Sequence, residues 1–159
     1  MISKKGFTLV ELLVVVAILG VLAAVGIVSF GGYLGSAKVN SLKSKHSIIV
    51  SFLQSEIMKC SLGSKPDLNG AFVECNELND VNHVAVSFFR HFDNNFKDYK
   101  EWENPFEKGT VGIGYNSNAN CPSNTLGHTS FAPVSKQIMV ITRYGTGNSD
   151  CLISYVDSE

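Results

Sequence analysis

From Phe7 to Phe30 the chain is almost wholly apolar, and Glu11 is the one charge in that run. About two dozen residues at 1.5 Å of rise each are enough helix to cross a hydrocarbon layer of ~30 Å. A membrane-spanning helix is therefore predicted over 7–30. Beyond Phe30 the pattern changes. Gly31, Gly32 and Gly35 make a weak stretch that is expected to bend. Ala37, Leu42, Ile49, Leu53 and Ile57 then recur at helical spacing with Ile48 and Phe52 beside them. Lys38, Lys43, Lys45 and Glu56 supply much of the opposite, polar face. One helix from about Phe7 to about Lys59 follows, ended by Gly63 and Pro66.

Residues 60–108 read as a long connection. Within it Val81, Val84, Ala85, Phe88, Phe89 and Phe92 recur at helical spacing, with Asn79 or Asp80 placed to cap a short second helix. Trp102–Phe106 reads as an extended aromatic loop. From Gly109 the period becomes that of strands, with Thr110–Asn116, Gln137–Tyr144 and Cys151–Val156 as candidates. Gly145–Asn148 supplies a turn between the last two, and Asn116–Asn124 is loop-like. The expected fold class is α+β: a long N-terminal helix whose amphipathic second half packs on a small antiparallel sheet. The organisation expected is a leader at 1–6, the apolar helix at 7–30 and a head at 31–159. The head divides into an amphipathic helix at 31–59, a connection at 60–108 and a sheet at 109–159.

Composition narrows the functional classes. The chain has 159 residues and a formal net charge of -1, so it holds one ordinary domain and no global charge that would draw nucleic acid. Lys38, Lys43 and Lys45 are its basic cluster and give a nucleic-acid partner little support. Lys4 and Lys5 precede the apolar run, which keeps the N-terminus cytoplasmic and sends the remainder outward. Cys60, Cys75, Cys121 and Cys151 all lie on that outward side, without Cys-x-x-Cys spacing. Two disulfides suit an oxidising compartment better than zinc or four free thiols. Of three connectivities, Cys60–Cys75 with Cys121–Cys151 is favoured, because each bridge would staple a loop-rich stretch to a regular element. His46, His83, His91 and His128 form no His-Glu-x-x-His pattern, and no nucleophile elbow or phosphate loop is present. Asn148, Asp150 and Asp157 offer oxygen ligands without a calcium-loop spacing. The carboxylates from Asp93 to Glu107, interspersed with Lys97 and Lys100, read as a solvated face. No catalytic residue, metal site or cofactor is expected.

Glu11 carries the functional argument. A carboxylate within a membrane helix costs about 2.5–3.5 kcal/mol on insertion scales, so it usually has a partner or a task. An ordinary single-span anchor leaves it without either. A cleavable secretory signal has an apolar region of roughly 7–15 residues; the run here is longer, although Leu22–Gly26 imitates a cleavage site. Cutting after Gly6 would create an amine at Phe7, a cation at the membrane depth of Glu11 in a neighbouring chain. Such a pairing would relieve both charges and fix the stagger of stacked helices.

Gly6-Phe7-Thr8-Leu9-Val10-Glu11-Leu12 followed by a long apolar helix resembles the processing motif of type IV pilins and type II secretion pseudopilins. The resemblance covers roughly the first thirty residues. It implies cleavage by a membrane-embedded prepilin peptidase between Gly6 and Phe7, N-methylation of Phe7, and recruitment and registration of subunits by Glu11. The short leader is similar to the type IVa and pseudopilin class. The partners implied are further copies of the chain in a helical filament, the peptidase, the assembly machinery and, before assembly, the membrane. The precursor would sit in the inner membrane as a single-pass protein with its head outside the cytoplasm. Afterwards it would stand in a cell-surface pilus serving adhesion, motility or DNA uptake, or in the periplasmic filament of a secretion pseudopilin. One position departs from the family pattern. Val28 stands where many members carry a helix-loosening proline, and Gly20 and Gly26 are the residues that could substitute for it.

Overall fold

The computed structural model describes residues 6–68, 73–94, 102–121 and 126–158. Lys4, Lys5, Lys97 and Lys100 lie outside the described residues. The chain divides into two compact units, Met1–Ala37 and Lys38–Glu159.

Helix α1 spans Leu9–Ser61 and runs through Gly31, Gly32 and Gly35 without interruption. The glycines lower helix propensity, by ~1 kcal/mol each relative to alanine, but no proline removes a backbone donor between Leu9 and Ser61. In the first unit every large apolar residue from Leu9 to Leu34 is exposed. In the second unit α1 buries Leu42, His46, Ile49, Leu53, Glu56 and Ile57, which recur at steps of three and four. Two polar residues therefore stand on the stripe that faces the core. Glu56, expected on the solvated face, is buried, while Ala37, expected in the stripe, and Ile48, expected beside it, are exposed.

The loop after α1 begins with Gly63 at φ 73°, where Gly63 N donates to Cys60 O and Ser64 N to Lys59 O, closing the helix end. Helix α2, Val81–Asn94, starts at Asp80, whose Oδ1 accepts from His83 N at 3.1 Å. Its apolar side, Val81, Val84, Ala85, Phe88 and Phe92, is buried. Trp102–Gly112 is not extended. It doubles back through a Glu103–Val111 bridge, with Gly112 N donating to Trp102 O, and Asn104 pins the turn by donating from Nδ2 to Leu126 O.

Four strands form one sheet in the order β1-β2-β3-β4: β1 Ile113–Tyr115, β2 Thr129–Val134, β3 Gln137–Arg143 and β4 Cys151–Asp157. β2–β3 and β3–β4 are antiparallel, but β1 pairs with β2 in parallel, so the expected all-antiparallel meander is corrected to a mixed sheet. β2 was not among the expected strands. It contains Pro133, which ordinarily argues against a sheet interior. Thr129 N donates to Gly112 O and Phe131 O accepts from Asn116 N, so odd-numbered residues of β2 turn their backbone toward β1. β1 pairs only as far as Phe131, and the missing N–H of Pro133 therefore faces no strand. A two-residue turn, Ser135–Lys136, joins β2 to β3, with Ser135 in the left-handed region at φ 53°.

One face of the sheet, with Ile113, Phe131, Ile138, Val140 and Val156, meets Ile49, Leu53 and Ile57 of α1 and Val84 and Phe88 of α2. Phe92 joins the layers, stacked on Phe131 at 5.6 Å and edge-on to Trp102 at 5.2 Å and Phe52 at 5.5 Å. Phe131 is fully buried whereas Ile153 is 47 % exposed. Phe131→Ala is expected to lower stability by about 3–5 kcal/mol, and Ile153→Ala by well under half as much. Urea unfolding of the full chain in detergent, followed through its single tryptophan, checks this; similar losses at both positions would contradict the packing.

Candidate functional site

The start of α1 is built by a reciprocal cap. Thr8 and Glu11 satisfy the Ser/Thr-x-x-Glu pattern immediately before an apolar run. Thr8 N donates to Glu11 Oε2 at 2.9 Å, Thr8 Oγ1 donates to the same oxygen at 2.7 Å, and Glu11 N donates to Thr8 Oγ1 at 3.3 Å. Two backbone donors that the helix terminus would leave unpaired, Thr8 N and Glu11 N, are thus paired within one turn. The carboxylate that looked unexplained in the sequence has an intrachain role as a cap. Gly6 and Phe7 precede the helix, in non-helical backbone, and both are exposed, Phe7 at 84 %. A Cβ at Gly6 would meet nothing within 4 Å, so the structure imposes no packing demand for glycine there. α1 is long and apolar enough to cross a membrane by length and composition, and its most apolar window is unburied.

In the 38–159 unit two polar clasps join α1 to the rest. His46 is 5 % exposed, with Nδ1 2.8 Å from Thr142 Oγ1 and Nε2 2.8 Å from Ser154 Oγ. Thr142 Oγ1 lies in turn 2.7 Å from Thr129 Oγ1. One imidazole therefore ties α1 to β3 and β4 and, through a shared hydroxyl, to β2. Hydroxyls both donate and accept, so the chain is satisfied with a neutral ring. Burial pushes the His46 pKa below its ordinary 6.5. Burial also lowers His128, with a hydrogen bond to the Ile113 backbone opposing it in part. At the far end of α1, Glu56 accepts from Lys59 Nζ at 2.7 Å and from Asp67 N at 2.9 Å, fastening the loop to the helix.

Two disulfides, Cys60–Cys75 and Cys121–Cys151, hold the loops, with Cα separations of 5.5 and 6.0 Å. Arg143, largely buried, donates to Thr146 O at 3.1 Å beneath the β3–β4 turn and to Cys121 Sγ at 3.6 Å. The basic residues of α1 are distributed over different partners. Lys38 lies over the Phe106 ring at 5.4 Å, Lys43 over Tyr144 at 5.7 Å, and Lys45 Nζ donates to Glu103 O at 3.1 Å. His83 and His91 do not converge: His83 faces Glu77 at 3.6 Å, and buried His91 stacks on Phe52 at 4.7 Å. Asp150 accepts from Gly147 N at 2.7 Å and Asp157 from Gln137 Nε2 at 2.8 Å, while Asn148 is exposed. Among the described residues no three metal-ligating side chains cluster.

Sequence reasoning missed Thr8 as a cap, though its spacing to Glu11 was the available signal. It also missed the His46–Thr142–Ser154–Thr129 chain. The signal there was a histidine at the seven-residue stripe position between Leu42 and Ile49, easily taken for a polar-face residue.

Because His46 and His128 have folded pKa values below 6.5, the unfolded chain takes up protons first as pH falls. Stability is thus full above about pH 6.5 and declines as pH drops toward the lowered folded values. His46→Gln is expected to cost stability at pH 8 yet make the slope between pH 6.5 and 5 shallower. Thermal melts of the full chain across that range read both effects; an unchanged slope would mean that His46 does not titrate as described.

The prokaryotic N-terminal methylation motif matches residues 1–27. A "Fimbrial protein" of Pseudomonas aeruginosa is 39% identical over 57 residues, covering 36% of this chain and 37% of that protein. The "Type IV major fimbrial protein FimA" of Dichelobacter nodosus is 32% identical over 84 residues, covering 48% and 52%. A "Fimbrial protein" of Neisseria meningitidis is 28% identical over 107 residues, covering 61% and 63%. The chain thus spans between about a third and under two thirds of the length of these relatives. No solved structure gives a significant match. The methylation motif heading an unburied apolar helix and the fimbrial relatives agree: in its N-terminal part the chain is similar to type IV fimbrial proteins, and the α+β architecture is compatible with that likeness.

Proposed function

We propose that the chain is the precursor of a subunit that assembles into a type IV pilus filament. One observation carries this reading. The exposed apolar residues from Phe7 to Leu34 form a surface far larger than a monomer in water tolerates. Lipid covers such a surface in a precursor, and neighbouring helices cover it in a filament. The Gly6–Phe7 bond, exposed and ahead of the first helical turn, suits a peptidase that needs unwound backbone. Cleavage there leaves the new amine of Phe7 beside Thr8 and the Glu11 carboxylate. N-methylation of that amine and its pairing with Glu11 of a neighbouring subunit complete the proposal. The membrane-bound precursor keeps its 38–159 unit outside the cytoplasm, where disulfides persist. Extraction from lipid is unfavourable for each subunit, so an assembly machine must supply work.

The relatives are fimbrial proteins, which favours a surface pilus, serving adhesion, motility or DNA uptake, over a secretion pseudopilin. Intact mass and N-terminal sequencing of protein from membranes and sheared filaments test the processing. The expected mature chain begins at N-methylated Phe7 and gains two hydrogens per disulfide on reduction. Glu11→Ala is expected to be processed normally yet to yield at least tenfold fewer filaments, read by quantifying sheared material. A chain that starts at Met1 in filaments, or near Gly26, would overturn the assignment.

A further inference from the structure

We propose that the Cys121–Cys151 bridge is a site of thiol–disulfide exchange, in which Arg143 holds Cys121 as the departing thiolate and a small thiol is captured on Cys151. Cys60–Cys75 is its inert counterpart. The site lies wholly within the 38–159 unit and needs neither a membrane nor a filament.

A guanidinium stays charged in a protein, and burying one calls for acceptors. Arg143 is 5 % exposed. Its Nη2 donates to Thr146 O at 3.1 Å, and its Nη1 points at Cys121 Sγ from 3.6 Å. A bridged sulfur is a weak acceptor and returns little to that N–H. A thiolate in the same place would supply an opposite charge and a charge-assisted hydrogen bond, both strengthened by burial. The surroundings of Cys121 therefore suit the reduced sulfur better than the bridged one. Asp150 immediately precedes Cys151, and a carboxylate so near in the chain disfavours negative charge at that second sulfur.

Cys60–Cys75 has the opposite environment. Cys75 Sγ lies 3.5 Å from Ser64 O, and a carbonyl oxygen opposes a thiolate there. The lysines nearest in sequence are engaged by carboxylates, Lys59 by Glu56 at 2.7 Å and Lys65 by Glu74 at 2.7 Å. Exposure alone would rank the bridges the other way, since Cys75 is exposed whereas Cys121 and Cys151 are half-buried. Charge rather than access sets the order. The step itself is a displacement at sulfur. The incoming thiolate bonds to Cys151 Sγ as the bond from Cys151 Sγ to Cys121 Sγ breaks, and the bonding pair leaves on Cys121 beside Arg143. Electrons balance, because one disulfide replaces another. A second small thiolate, attacking the captured thiol's own sulfur, releases Cys151 and leaves the small thiol oxidised as its disulfide.

The test exposes the full chain, in detergent near neutral pH, to reduced glutathione. Samples are quenched in acid, alkylated with N-ethylmaleimide and mapped by mass spectrometry. Cys121–Cys151 is expected to open several-fold faster than Cys60–Cys75, against the order of exposure. The trapped intermediate is expected to carry maleimide on Cys121 and glutathione on Cys151. Arg143→Gln is expected to slow this bridge several-fold and leave Cys60–Cys75, the internal control, unchanged. Arg143→Lys, which keeps a cation, is expected to recover much of the rate. Faster opening of Cys60–Cys75 in the wild-type chain, glutathione on Cys121, or an unchanged rate in Arg143→Gln each overturns the proposal. Should Arg143→Gln loosen the β3–β4 turn and open both bridges faster, the position of glutathione in the wild-type chain decides alone.

Discussion

α1 carries two different surface patterns along its sequence, and the 38–159 unit is packed around the second of them. From Leu9 to Leu34 its side chains are apolar on every face and unburied. From Leu42 to Ile57 a single stripe is buried and the other faces are polar or exposed. An all-round apolar helix has no preferred rotation against a neighbour. The second half, by contrast, has one rotation that buries Leu42, Ile49, Leu53 and Ile57 and also brings His46 to Thr142 and Ser154. Within the 38–159 unit the rotation of α1 is thus fixed by this stripe.

The polar groups on the buried stripe serve that specificity. A helix held to a sheet by leucine and isoleucine alone can slide or rotate at modest cost, since hydrophobic contact is non-directional. His46 has two ring nitrogens at 2.8 Å from hydroxyls on two different strands, and a shift by one residue would strand both. Glu56 acts likewise at the other end, where the Asp67 amide would be left without its acceptor. Their cost is desolvation, visible in the lowered pKa of His46.

Much of this was legible in the sequence, for identifiable reasons. The apolar run, the helical stripe at Leu42–Ile57, α2 with Asp80 as its cap, and β3 and β4 all follow from periodicity. β2 did not, because Pro133 counts against a strand unless one knows that β1 stops short of it. The parallel β1–β2 pair was equally hidden, since turn chemistry reports hairpins but not a return across twelve or so residues. Burial of His46 and Glu56 was illegible for a different reason. A titratable residue on a helical stripe is ordinarily assigned to water, and only the hydroxyls of distant strands reverse that. At the N-terminus the motif announced Gly6, Phe7 and Glu11 as a group, while the cap between Thr8 and Glu11 became evident only from atomic distances.

The disulfides have a mechanical meaning as well as a thermodynamic one. Cys60 stands in the last turn of α1 and is bridged to Cys75, 15 residues on; Cys121 is bridged to Cys151, 30 residues on, at the first residue of β4. Tension entering through α1 and leaving beyond β4 would travel along covalent short cuts at both places. The loop between Cys60 and Cys75 would carry no load, and neither would the stretch that contains β2, the Ser135–Lys136 turn and β3. Of the chain beyond α1, only the segment from Cys75 to Cys121 and β4 itself could be paid out as slack. A subunit of this design lengthens less when pulled than one without the bridges, and β2 and β3 stay unloaded while it does so.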